Sequence, residues 1–271
     1  MLTVIVPASN EAGHIGTCLE ALLGSTIGQP WQLVVAANGC KDNTAAIARS
    51  YQAAARAAKV ELLVLEIEHG NKLNAINVAE VHAAGDALVY VDADVVVQPQ
   101  LLGQLAVALE RPWPIYATGK LQIAAARTWA TRTYARFWSR LPFVVDGAPG
   151  CGVFAVNRLG RKRWGAFPPI ISDDTFVRLH FAASERISVA AGFSWPMVEG
   201  LSNLVRVRRR QDRGVEEIAR DYPGLMANEG KSRAKLLPLA AVDPVGFGFY
   251  CLVALLTKLP ATSADRWVRG R

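Results

Sequence analysis

Short apolar runs alternate with apolar residues at three- and four-residue spacing through the first 110 positions. Residues 2–6 are apolar and mostly β-branched and are followed by Pro7, which predicts a buried strand ending there. Ile15, Cys18, Leu19, Leu22 and Leu23 then recur at helical spacing, with Ser9 or Asn10 available as a cap. The same alternation predicts a strand over 32–36, a turn at Asn38-Gly39 and an alanine-rich helix over 43–59. It continues with a strand over 60–67, a helix over 71–84, a strand over 87–91 and a helix over 101–109. Strands and helices joined by short links predict a doubly wound α/β sheet. Ligands of such sheets sit beyond the carboxyl ends of the strands. Segments 7–11, 37–39 and 92–94 all lie at such ends, so they should converge on one crevice.

The middle of the chain is mixed. Strands are predicted over 116–126, 153–156 and 187–191, and helices over 128–140 and 173–183, the last capped by Ser172. Trp129, Tyr134, Phe137 and Trp138 fall at helical spacing and predict a core-facing side. Beyond residue 200 the pattern changes. Arg206, Arg208, Arg209, Arg210 and Arg213 crowd one short segment. Residues 244–257 are uncharged and apolar, yet too few to cross a bilayer, which takes about 20. Lys231, Arg233 and Lys235 precede this stretch, and Lys258 and Arg266 follow it. Two readings stay open for 236–259: an element packed on the domain, or one in peripheral contact with a membrane surface.

Composition narrows the class. The 271 residues carry 30 Lys and Arg against 23 Asp and Glu, a net charge of +7, with 51% hydrophobic and 20% charged residues. This excludes disorder and a predominantly coiled-coil chain. A mean hydropathy of +0.18 excludes a polytopic membrane protein. Cys18, Cys40, Cys151 and Cys251 include no CxxC and predict isolated reduced thiols, hence a cytoplasmic setting. The N-terminus reads as a strand and not as a signal peptide. The four histidines are scattered without metal-site spacing. Aromatic residues do not interleave the arginines, so no nucleic-acid partner is expected.

Asp92-Ala93-Asp94 follows an apolar strand, so both carboxylates emerge at the ligand edge of the sheet. Alternate residues of an extended segment point the same way. Two carboxylates on one side can hold a hard divalent ion and leave room for phosphate oxygens. The alternative is a solvated loop with two acids.

Four ordered motifs between residue 2 and about residue 190 resemble the family 2 glycosyltransferases of the GT-A fold. Val4-Ile5-Val6-Pro7-Ala8-Ser9-Asn10-Glu11-Ala12 is similar to the loop that cups the nucleoside. Gly70-Asn71-Lys72, with Ala75 and Asn77, resembles the segment whose basic residue approaches the nucleotide. Asp92-Ala93-Asp94 matches the Asp-x-Asp motif. Ser172-Asp173-Asp174 matches the acidic pair before a helix, whose second acid is the general base. The resemblance implies a Rossmann-like doubly wound mixed sheet with a helical, partly apolar C-terminal extension. Residues 1–110 would bind the nucleotide sugar, 111–200 would supply the acceptor side and base, and 201–271 would form the extension.

The activity implied is inverting transfer of one sugar from a nucleotide-diphosphate sugar to an acceptor hydroxyl, carbohydrate or lipid-linked, or to a lipid phosphate. Mn²⁺ or Mg²⁺ would be held by Asp94 with Asp92. Asp174, beside Asp173, would take the acceptor proton. Pro7, Ala8, Asn10, Glu11, Asn38, Lys72 and Asp92 would contact the nucleotide sugar. Arg210, Arg213, Gly150 and Gly152 are candidates for phosphate or acceptor contacts. The chain departs from the family in two places. Ala37-Asn38-Gly39-Cys40 stands where Asp-Asp-Gly-Ser is usual, so the base is left open. Arg210-Gln211-Asp212-Arg213-Gly214 lacks the Trp of processive members, which points to single-sugar transfer. A nucleotidyltransferase with a similar sheet and a non-catalytic nucleotide-sugar or membrane-binding module are the rival readings. The expected location is cytoplasmic, with the inner face of the cytoplasmic membrane as a peripheral alternative.

Overall fold

The structure is a computed structural model and describes residues 1–229 and 236–259. Its first half runs β1 (Leu2–Ala8), α1 (Ile15–Leu23), β2 (Trp31–Asn38), α2 (Thr44–Ser50), α3 (Gln52–Ala57), β3 (Val60–Ile67), α4 (Lys72–Val81) and β4 (Ala87–Val91). Next come β5 (Val96–Val97), α5 (Leu101–Leu109), β6 (Tyr116–Ile123), α6 (Trp129–Trp138), α7 (Pro142–Val145) and β7 (Val153–Asn157). Then α8 (Arg158–Arg161), α9 (Asp173–Leu179) and β8 (Arg186–Trp195) complete the α/β body, and α10 (Leu201–Asp221), α11 (Leu236–Val242) and α12 (Pro244–Lys258) follow it.

One eight-stranded sheet has the order β3-β2-β1-β4-β7-β6-β8-β5. The strands β3, β2, β1 and β4 are mutually parallel, and β7 enters antiparallel between β4 and β6. The expected mixed, doubly wound sheet is therefore present. Burial on both faces explains why its strands read as continuous apolar runs. On β1, Leu2, Val4, Val6 and Ala8 face a core shared with Leu19 of α1 and Leu105 of α5. Ile5 faces the opposite core with Ile76 of α4 and Phe176 of α9. A third cluster joins Tyr134, Phe137 and Trp138 of α6 to Leu204 of α10 and Val253 of α12.

Several boundaries differ from the sequence pattern for local reasons. Pro7 does not end β1, because β4 pairs with β1 only as far as Ile5 and the strand continues along β2 alone. The helix expected over 43–59 breaks at Tyr51, whose hydroxyl donates to Glu20 of α1 at 2.8 Å, while Gln52 donates to the Leu62 carbonyl at 3.0 Å. The helix expected to reach residue 183 stops at Leu179. Arg163 takes the carbonyl of His180 at 2.6 Å, and Arg186 takes those of Arg178 and Phe181 at 3.1 and 3.0 Å. The strand expected over 187–191 spans 186–195, because β6 and β5 both pair along it.

The apolar stretch 244–257 is a helix with one side packed on α6 and α10. No helix among the described residues is long and apolar enough to cross a membrane. Lys231, Arg233, Lys235 and Arg266 lie outside the described residues.

Candidate active site

The loops after β1 and β2 are stitched together at the carboxyl edge of the sheet. Asn10, at φ 51°, accepts from the Lys41 backbone N–H at 2.6 Å through Oδ1. The Glu11 N–H donates to Thr44 Oγ1 at 2.7 Å, and the Ala12 N–H to Asp42 Oδ2 at 3.1 Å. Pro7 and Ala8 are buried inside β1 and present backbone only. Asn38 is buried as well, and its amide donates to the carbonyls of Ala8 at 2.9 Å and Ala36 at 3.2 Å. The side-chain amide of Asn38 thus ties β1 to β2. Gly39, at φ +54°, lies against Gly70, where an added Cβ would come within 2.5 Å of the Gly70 Cα. That close approach sets the β2 loop beside the start of α4. There Asn71 caps the helix by accepting from the Asn74 N–H at 3.0 Å, and Lys72 is its first residue.

Lys72 joins two motifs that are far apart in sequence. Its Nζ is 2.8 Å from Asp92 Oδ1 and 2.9 Å from Asp173 Oδ2. Both contacts are ion pairs. Burial works against the charge of Lys72, but Asp173 and Asp92 outweigh it and hold the ammonium firmly protonated. The acids around it form one field. The Cys18 thiol, inside α1, is pushed well up by burial and then by Asp94, Asp92 and Glu11. Lys72 thus brings Asp92 and Asp173 together, and Glu11, Asp92 and Asp94 all act on Cys18 at the edge where β1 and β4 end.

Asp174 is partly buried beside this cluster and accepts from the Thr175 N–H at 2.7 Å. Burial pushes its carboxyl above the ordinary range, the adjacent Asp173 adds to the shift, and Lys72 opposes it. The loop Gly150-Cys151-Gly152 packs on the same region. Its glycines sit at φ +72° and +79°, and a Cβ at 150 would fall 1.9 Å from the Tyr116 hydroxyl. The Gly152 carbonyl accepts from the Asp92 N–H at 2.8 Å. Burial and then Asp174 push up both the Cys151 thiol and the Tyr116 hydroxyl. Asp42, Cys151 and Tyr116 were not singled out from sequence. The Asp-Asn-Thr run before α2 carries a helix-start signal for Asp42. Cys151 lies between the candidates Gly150 and Gly152, whereas nothing local points to Tyr116.

The arginine cluster is divided by the faces of α10. Arg208 bonds Asp212 at 2.8 Å and the Tyr250 hydroxyl at 3.2 Å, and Arg209 bonds the carbonyls of Leu256 and Leu259, both at 3.1 Å. These two clamp α10 to α12. Arg210 lies one turn before Gly214, which is pressed against Ser172, so it belongs to the helix face beside the acid pair. Its Nε is shielded from solvent and has no hydrogen-bond partner among the described residues. Arg213 is exposed. No group of three or more His, Cys, Asp or Glu side chains encloses an ion among the described residues. A cleft of about 410 Å³ opens at the other end of the sheet between Met1, Ala87 and Arg158, away from all of these groups.

Comparison with known proteins identifies the family and the fold. Residues 3–164 match the family described as Glycosyl transferase family 2. A dolichyl-phosphate beta-glucosyltransferase of Drosophila melanogaster is 32% identical over 120 residues, covering 42% of this chain and 36% of that protein. The match thus spans little more than a third of that curated relative. Among solved structures, the mannosyltransferase PcManGT of Pyrobaculum calidifontis, in complex with GDP-Man and Mn²⁺, superimposes with a TM-score of 0.63 at 18% identity, over 97% of this chain and 76% of that one. Mannosyl-3-phosphoglycerate synthase of Rubrobacter xylanophilus gives 0.56 at 19% identity, over 82% and 74%. TarS of S. aureus gives 0.55 at 18% identity, over 77% and 39%. At these identities the likeness is one of fold, and the fold is GT-A.

Proposed function

Since the chain belongs to glycosyl transferase family 2, we propose that it moves a single sugar from a nucleotide-diphosphate sugar to an acceptor hydroxyl or lipid phosphate, with inversion. The observation that carries this reading is Lys72, whose ammonium touches both Asp92 of the Asp-x-Asp motif and Asp173 of the acid pair. Donor-side and acceptor-side groups are thereby within a few ångströms of each other. A one-step displacement at the anomeric carbon needs that proximity. The family match displaces the nucleotidyltransferase alternative.

In this reading residues 1–110 hold the donor, with the loops at Asn10-Glu11 and Gly39 around the nucleoside. Asn38 acts through the backbone it fixes. Residues 111–200 supply the acceptor side, and 201–271 form the extension. Asp92 and Asp94 fit a hard divalent cation of the Mn²⁺ or Mg²⁺ type, which needs only one or two carboxylates when substrate phosphates and water complete its shell. When bound, such an ion neutralises the charge that gathers on the departing diphosphate. Lys72 adds a second positive charge there. The acceptor oxygen forms its bond to the anomeric carbon as the bond to the diphosphate breaks. An alcohol acceptor passes its proton to Asp174, a base whose partly buried position beside Asp173 suits it to that role. Arg210, and Arg213 near it, would meet phosphate on the acceptor, and the glycines at 150 and 152 let the loop beside the site pack against Tyr116 and Trp195.

The two acceptor chemistries separate experimentally. A lipid phosphate arrives ionised and needs no base. Asp174→Asn is therefore expected to lower transfer to an alcohol about 10²–10⁴-fold while sparing donor binding and transfer to a phosphate. Undiminished transfer to an alcohol by this variant would remove Asp174 from the role.

A further inference from the structure

α12 buries only one side. Val253, Gly246 and Thr257 face inward, whereas Val245 is 58% exposed, Leu252 41%, Leu255 64% and Leu259 54%. Val245, Leu252 and Leu259 recur every seven residues and so lie in one row, with Leu255 beside it. The strip continues onto α6 through Trp129, which is 59% exposed and meets Phe249 edge-on with ring centroids 5.3 Å apart. From Trp129 a second row runs along α6. Arg132 and Arg136 follow at spacings of three and four, with Arg140 four further on, just past the helix end, and all three are exposed. Lys258 closes the far end of α12.

The nearby acids offset only part of this charge: Asp243 pairs with Arg136 and has Arg140 at 3.9 Å, whereas Arg132 bonds the Arg127 carbonyl at 2.6 Å. Asp243 is buried, bonded by Arg136 at 2.7 and 2.8 Å and by the Gly246 N–H at 2.9 Å. Glu199 is engaged by the Arg127 and Thr128 N–H groups at 2.7 and 3.0 Å. Asp146, past the end of α7, is exposed.

We propose that the outward face of α12, with Trp129 and the arginine row of α6, is a docking surface for an anionic lipid bilayer. The helix lies in the plane of the interface and does not cross it. An apolar strip beside a basic row is the pattern of interfacial helices, in which leucines enter the acyl boundary and arginines meet headgroups. A tryptophan at the margin suits the headgroup level. Charge decides between occupants: a second copy of this surface would set arginine against arginine, whereas an anionic leaflet complements it. The proposal is independent of which donor or acceptor the enzyme uses.

Vesicle co-sedimentation of the full chain tests it without any substrate. Wild type is expected to pellet with vesicles of phosphatidylcholine and phosphatidylglycerol, weakly with phosphatidylcholine alone, and less as salt rises. Leu252→Glu with Leu255→Glu, both at exposed positions, should lower partitioning about tenfold or more. Arg132→Gln and Arg140→Gln should each lower it about fivefold on the anionic vesicles only. Wild type remaining in the supernatant with anionic vesicles would overturn the proposal. So would equal binding by the double glutamate variant with an unchanged circular dichroism spectrum. Light scattering that shows a dimer broken by the glutamates, together with no vesicle binding, would assign the face to a second copy and likewise overturn it.

Discussion

Asp173 and Asp174 are neighbours in sequence with different surroundings, and the difference sets their roles. Asp173 has Lys72 at 2.9 Å. Asp174 is shifted upward by burial and by Asp173. A base with a raised pKa must lose its proton before it can act, so transfer to an alcohol should fall away with acidity above the ordinary carboxylate range. Asp173→Asn removes the like charge and should move that acid limb to lower pH in a pH–rate profile; an unmoved limb would mean that Asp174 does not control it. Gly150 offers a test of packing next to the site. A methyl there meets the Tyr116 hydroxyl at 1.9 Å and sits at φ +72°. Gly150→Ala should cost about 2–5 kcal/mol in urea unfolding. Tyr116→Phe removes a buried hydroxyl that has no hydrogen-bond partner among the described residues, so in that background the loss should shrink. Asp92 and Asp94 were legible in sequence because they follow an apolar strand, and Lys72, Asp173 and Asp174 through the resemblance of their motifs to the family's. Tyr116 was not, because only the sheet order brings β6 beside the 150–152 loop and α9.

At the scale of elements, the C-terminal helices are held by a few polar ties. Asp243 caps α12 at Gly246 and receives a two-pronged bond from Arg136 of α6. Arg136, followed by the cap bond, holds the carboxyl of Asp243 down to about 2. A carboxylate depressed in the folded state stabilises above its unfolded pKa, near 4, and loses that contribution as pH falls through the folded value. Asp243→Ala should therefore cost about 1 kcal/mol near neutral pH from the cap alone. The difference from wild type in urea midpoints should close as pH falls towards 2, and a constant difference would contradict the ion-pair account. The helices of the first half were legible from their three- and four-residue spacing. α10 was not, because its fully buried positions are Leu204, Gly214 and Ile218, separated by ten and four residues, with arginines on every other side. Helix ends were misread where long side chains, such as Arg163 and Arg186, take the last carbonyls from a distance in sequence.

Across the whole molecule, parallel order β3-β2-β1-β4 brings the ends of β1, β2 and β4 to one edge, and antiparallel β7 returns Gly152 to Asp92. The parallel half followed from alternating strands and helices. The placement of β7, β6 and β8 depends on non-local pairing that no local pattern encodes. The resulting fold matches GT-A enzymes over nearly the full chain at low identity, while the acids and Lys72 at its edge carry the chemical argument. The most direct test is a thermal-shift series with uridine-, guanosine-, cytidine- and thymidine-linked sugars, each with and without Mn²⁺, on wild type and Asp94→Ala. The account predicts a rise in Tm for one nucleotide class that requires the metal and is absent in Asp94→Ala, because only ligand bound to the native state raises Tm. No rise with any donor, or the same rise in Asp94→Ala, would contradict it.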